Sequence, residues 1–400
     1  TEGSILKALI GFALPVLVVL FLQALYGAVD LLVVGKFADV AEQSGVASGS
    51  MFTTTLTGVI SAFAIGLTVM VGEAVGEKNT EKVKKSIGTG ICILAIIAVL
   101  STIIIAPLAG TVANAMHAPP EAVVQTTEYI RICGLGLFFI IFYNVLAAIF
   151  RGMGDEKTPL ITVIVACIIN IIADLVFVIV FGWGAKGAAI ATVLAQAMSV
   201  IISVVLIRKR GSSFGFSVKD LKISKWYAKK MFLVGTPVAV QELLVGLSFI
   251  FIQSTVNSIG VIASGGVGIG EKVCAFLMLV ASSYMQSMAA FTAQNNGAGK
   301  HERAKKGLKI GISTAFIAGV TMGLLAFFAG DVISSVFTNE PAVIVAAHSY
   351  LKAYAIDCLL TAVLFCFIGY YNGNEHTMFV LLQGIVGAFC ARIPLVMLFN

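Results

Sequence analysis

Apolar runs of about 20–27 residues recur along the whole chain, separated by short stretches that hold most of the charge. A helix needs about 20 such residues to cross a bilayer. The pattern predicts eleven spans, near 9–34, 49–73, 86–107, 126–150, 158–182, 184–207, 229–255, 263–292, 308–329, 345–371 and 377–399. The first run is too long for a cleaved signal peptide and lacks a small-residue cleavage site. An all-α integral membrane protein is the expected fold class.

Composition agrees. Of 400 residues, 59% are hydrophobic and 12% charged, against about 25% charged in a soluble domain. Too few polar side chains remain to cover a water-facing surface. The seven cysteines all fall in apolar runs without metal-ligand spacing, which predicts buried, inert thiols. The net charge of +6 is not a nucleic-acid signal. With a cytoplasmic N-terminus, Lys7 and the inward connections hold most of the basic residues, in runs such as "KVKK" (82–85) and "KHERAKKGLK" (300–309). The outward connections show only Lys36 and Lys186, the asymmetry that the positive-inside rule describes.

The chain repeats at an offset of about 221. "ALPVLV" (13–18) returns as "GTPVAV" (235–240), "VGEKNTEKVKKSIG" (75–88) as "NGAGKHERAKKGLK" (296–309), and "TEYIRI" (127–132) as "HSYLKA" (348–353). "FRGMGDEKT" (150–158) returns more weakly in "YYNGNEHT" (370–377). An even number of spans separates the copies, so they share one orientation across the membrane. Two pseudo-symmetric bundles follow: 1–207 with six helices, a cytoplasmic linker at 208–228, and 229–400 with five of six helices, a twelfth being expected beyond this sequence.

Few ionisable groups remain at membrane depth, where each costs roughly 2.5–3.5 kcal/mol to insert. Asp30 lies 15 residues after Pro15 and Asp174 lies 15 after Pro159. Both helices run outward, so both carboxyls should reach one level, at about 1.5 Å of rise per residue. Asn170 shares a helix face with Asp174, Thr192 returns to the same level, and Gln23 lies below Asp30. Such a set can hold one proton or one Na+ near neutral pH. Taken singly, each Asp could instead cap a helix or bond a neighbouring backbone. Pro15 and Pro237 each remove a backbone bond about two turns into a helix and permit bending. Glu242 and Asp357, in the second copy, have no partner at matching offsets. Arg131, Lys272, Lys352 and Arg392 read as interfacial side chains. His117, His301, His348 and His376 read as loop or surface groups.

With these residues in view, the chain resembles the multidrug and toxic compound extrusion (MATE) family, most closely its DinF-like prokaryotic branch. The marks are "ALPVLVVLFLQALYGAVDLLVVG" (13–35), "IFRGMGDEKTPL" (149–160), "IINIIADLVFVIVFGWGAKGAAIAT" (168–192) and the duplicated basic loop. The resemblance implies a V-shaped pair of six-helix bundles, alternating access, and export of cationic amphipathic drugs driven by H+ or Na+ entry. It carries over Asp30, Asn170, Asp174 and Thr192 as the cation site, Gln23, Tyr129 and Asn144 as cavity lining, and Pro15 as the bend. The second copy lacks the seventh-helix acid of the NorM-like branch, because Glu242 is spaced differently from Pro237. The expected setting is a bacterial or archaeal plasma (inner) membrane, multi-pass, with a cytoplasmic N-terminus. No cofactor is expected beyond the coupling ion, no metal beyond a possible Na+, and the partners are small organic cations and lipid, with no nucleic acid and a monomeric chain. The alternative is a lipid-linked precursor flippase of the same superfamily, which would need several inward-facing Arg or Lys. An intramembrane enzyme would need a nucleophile with its base, or metal-ligand spacing such as H-E-x-x-H, and neither is present. An ion channel would need a polar filter repeated by symmetry.

Overall fold

The computed structural model describes residues 2–210, 216–338 and 340–398; part of the expected linker, 211–215, and Asn400 lie outside them. Among the described residues the chain is helical throughout. The helices are α1 (Ile5–Phe37), α2 (Val40–Gly76), α3 (Thr80–Ala115), α4 (Val123–Leu135), α5 (Leu137–Met153), α6 (Lys157–Val180), α7 (Gly184–Arg210), α8 (Lys225–Ile259), α9 (Val261–Gly297), α10 (His301–Ser335), α11 (Pro341–Gly373) and α12 (Thr377–Leu398). Ten are long and apolar enough to span a membrane, and eleven spans result when α4 and α5, bent by 53°, count as one. All eleven expected spans are present.

Short polar signals set the helix ends. Asp39 Oδ1 accepts from Glu42 N at 2.9 Å to start α2, and Asn79 Oδ1 accepts from Lys82 N at 3.0 Å to start α3. Gly154, at φ +82°, closes α5 in the left-handed conformation. Asp155 then starts α6 by accepting from Thr158 N (3.1 Å) and its hydroxyl (2.5 Å). Large apolar side chains such as Leu32, Ile104, Phe328 and Ile356 are exposed, as helices facing lipid require.

The internal repeat holds at atomic level. Helix α9 has the limits of α2 shifted by 221 residues. Gly49 lies so close to Tyr129 that an added Cβ would meet its ring at 2.5 Å, and Gly270 meets Tyr350 at the same 2.5 Å, each residue again 221 further on. Gly152 presses on Thr68 and Val71, and Gly373 on Ala289 and Thr292. The copies differ in the fourth span. The α4–α5 break falls at Gly136, whose backbone approaches Val193, whereas α11 runs straight through the equivalent position, Asp357.

Two compact units divide the chain, and their limits fall inside helices. Val18–Phe232 form one; residues up to Leu17 join Leu233–Asn400 in the other. The reason is local packing. Leu9 is buried against Met288 and Phe291, and Arg303 donates to the carbonyls of Gly3 (2.9 Å) and Glu2 (3.0 Å). In the other unit Phe232 sits 5.3 Å from the Phe63 ring, and Lys230 pairs with Glu73. Helix α1 continues unbroken through Pro15, two residues before the unit limit.

Candidate functional site

Helix geometry puts Gln23, Tyr26 and Asp30 on one face of α1, Asn170 and Asp174 on one face of α6, and Thr192 and Gln196 on one face of α7. These faces meet inside the first unit as a ladder of polar contacts. At its top Thr192 Oγ1 donates to Asp30 Oδ2 at 2.9 Å. Asp174 and Asn170 face the same carboxyl. One turn below, Gln196 Nε2 donates to Tyr26 Oη at 2.9 Å. Lower still, Gln23 Nε2 donates to Tyr143 Oη at 3.4 Å. Asn144, the next residue on α5, accepts from Ser61 Oγ at 2.6 Å and donates to its own helix at Ile140 O. Tyr129 is buried beside Thr192.

The top rung is closed to solvent and incomplete in hydrogen bonds. Asp30 is 3% exposed, and Asn170 and Asp174 are fully buried. Asp30 Oδ1, both Asp174 oxygens and both polar atoms of the Asn170 amide lack a well-aligned protein partner. Buried polar atoms are nearly always partnered, and these five cluster at the top rung of the ladder. Among the described residues neither carboxyl forms a salt bridge with Lys, Arg or His. Just after Asp174 the α6 backbone widens into a π-helical segment, Leu175–Val180, a feature frequent at functional sites.

The structure thus brings Asp30, Asn170, Asp174 and Thr192 together, with Tyr129 beside them and Gln23 and Asn144 further down. The two acids of the second copy are placed differently. Asp357 Oδ2 accepts from Thr361 Oγ1, one turn along its own helix, at 3.0 Å. Glu242 lies on α8, and among the described residues it shares no hydrogen bond with Asp357. Arg392 donates to Ser248 Oγ at 3.1 Å and lies 4.4 Å over the Phe249 ring. Cys390 is exposed on the apolar outer surface and Cys92 is partly so, while the other five cysteines are buried as expected.

Tyr26 and Gln196 do not stand out in the sequence, although each lies one turn from Asp30 or Thr192. Glu156 lies between α5 and α6. Glu156 is 6% exposed beside Arg151, and burial pushes its carboxyl up to about 7, against the opposing pull of that guanidinium.

Two helical repeats in a membrane are an architecture that many transporters share. The MatE family model matches the chain twice, over residues 15–176 and 237–398, and the chain belongs to that family, as a multi-pass protein of the plasma membrane. It is 28% identical over 365 residues to the probable multidrug resistance protein YoeA of Bacillus subtilis, covering 88% of this chain and 77% of that protein. It is 23% identical to the multidrug export protein MepA of Staphylococcus saprophyticus, over 96% of this chain and 86% of that one. Its fold matches a MOP superfamily transporter from Pyrococcus furiosus with a TM-score of 0.92 at 20% identity, over 99% of this chain and 89% of that structure.

Proposed function

We propose that this protein is a secondary antiporter that exports cationic amphipathic drugs or toxic compounds in exchange for H+ or Na+. The observation that carries the reading is the buried Asp30–Asp174 pair, with no basic partner among the described residues. Two unit negative charges about 4 Å apart repel by about 4 kcal/mol at an effective dielectric near 20. One bound positive charge removes that penalty, and H+ and Na+ both fit a set of carboxyl, amide and hydroxyl oxygens. Asn170 and Thr192 complete the coupling site. Gln23, Tyr129 and Asn144 line the adjoining cavity, and bending at Pro15 reshapes it as cargo leaves. The N-terminus lies in the cytoplasm, on the side where the basic connections collect. The names of YoeA and MepA agree with drug export.

Proteoliposomes with separately imposed proton and sodium gradients test this. Efflux of ethidium should follow one of the gradients and vanish in Asp30→Asn, and an anionic dye should not be carried. Gradient-independent efflux, or native efflux by Asp30→Asn, would refute it.

A further inference from the structure

The segment Gly182-Trp183-Gly184-Ala185 lies between the π-helical segment of α6 and the start of α7, and the ladder above leaves it without a role. Gly182 and Gly184 both have positive φ, +66° and +47°. That turn aims an amide in the first turn of α7 at α2: Ala185 N donates to Glu42 Oε2 at 2.5 Å. A Cβ on Gly184 would collide with the Glu42 carboxyl, so close approach as well as φ requires glycine there. Helix α7 begins Gly-Ala-Lys-Gly after Trp183, with no Ser, Thr, Asp or Asn of its own to cap it. A carboxylate from another helix supplies the cap, where the helix dipole favours negative charge. Glu42 is itself seated, because its amide donates to Asp39 Oδ1.

This cap belongs to a closed circuit. Ala185, Ala188 and Ala189 are wholly buried against Val33, Val34, Val46, Tyr129 and Val178, so α7 cannot slide without unpacking α1 and α2. Seven residues after Ala185, about 10 Å along the axis, Thr192 reaches Asp30. Asp30 leads through the short α1–α2 connection back to Glu42. Helix α7 is thereby tied at two levels, to α1 through Asp30 and to α2 through Glu42.

We propose that Glu42 is a positioning residue: it pins the axial register of α7 and so sets the contact of Thr192 with Asp30. The inference rests on the Asp30 reading above. If Glu42 were only a stabilising cap, its loss would lower thermal stability but leave the ion dependence of transport unchanged.

The test is ethidium transport in proteoliposomes, with the half-saturating concentration of H+ and of Na+ measured separately from the maximal rate. Glu42→Ala should move the half-saturating concentration of the coupling ion at least about threefold, in the same direction as Thr192→Ala, with the maximal rate little changed. Glu42→Gln, which keeps an oxygen acceptor, should recover most of the shift. In a Thr192→Ala background Glu42→Ala should add nothing further. Should Glu42→Ala fail to fold, Asp39→Ala, which loosens the seat of Glu42, should give a smaller shift of the same sign. An unchanged ion dependence in these variants, or additive effects of Glu42→Ala and Thr192→Ala, would overturn the inference while leaving the Asp30 site standing. Native transport by Asp30→Asn would sink the site reading, and this inference with it.

Discussion

Gly49→Ala should disturb the coupling site, whereas the repeat-related Gly270→Ala should not. The new Cβ at Gly49 would sit 2.5, 2.8 and 2.9 Å from Cδ1, Cγ and Cβ of Tyr129. Contact with the root of the side chain cannot be relieved by rotating the ring, so α2 and α4 must part by about 1 Å. At Gly270 only Cδ1 of Tyr350 comes as near, at 2.5 Å, and Cγ and Cε1 stand at 3.2 Å, so that ring can give way. Overpacking of this size costs about 1–3 kcal/mol; the upper part of that range belongs to Gly49 and the lower to Gly270. Tyr129 adjoins Thr192, the donor to Asp30, whereas Tyr350 belongs to the other unit. Thermal unfolding in detergent should therefore show both variants destabilised, Gly49→Ala more. Ion-dependent ethidium transport should be impaired in Gly49→Ala alone. Equal loss of transport in both, or native transport in a destabilised Gly49→Ala, would refute the link between Tyr129 and the site.

Glu156 supplies a pH prediction. Its folded carboxyl is held up to about 7, above the 4.5 of an exposed Glu, by burial. The folded chain thus binds an extra proton between those values, and stability falls as pH rises through that window. The excess is at most about 3 kcal/mol. Glu156→Gln should flatten the decline in unfolding temperature between pH 5 and pH 8, with Arg151 and Asp155 left in place; an unaltered decline would remove Glu156 as its source. Lys230→Ala leaves Glu73 without its partner and beside Glu77. It should cost about 1–3 kcal/mol, and adding Glu73→Gln should recover part of that, as thermal unfolding of the single and double variants will show.

The spans were legible because lipid demands long apolar runs, and the repeat because it left charged and Gly-Pro landmarks at a constant offset. Asp30 and Asp174 could be set at one depth because rise per residue is constant. What depth does not show is which way a side chain turns about its helix. Tyr26 and Gln196 therefore passed as ordinary members of apolar stretches, and only the packed helices show them bonded. Glu42 and Glu156 were hidden for another reason. Charge near a helix end reads as solvated, yet one caps a helix distant in sequence and the other folds under a guanidinium. The limits of the compact units were equally invisible, since Leu9 and Lys230 look alike as parts of helix starts until their partners, Met288 and Glu73, are in place.

The central claim is that the Asp30–Asp174 pair takes up one positive charge, and direct cation uptake by purified protein tests it. Retained ²²Na+ at pH 7, and protons consumed on a step from alkaline to neutral pH, should be counted for the native chain and for the double variant Asp30→Asn/Asp174→Asn. The native chain should bind about one cation more than the variant, in one of the two measurements. Equal uptake by both proteins, for sodium and for protons alike, would contradict it.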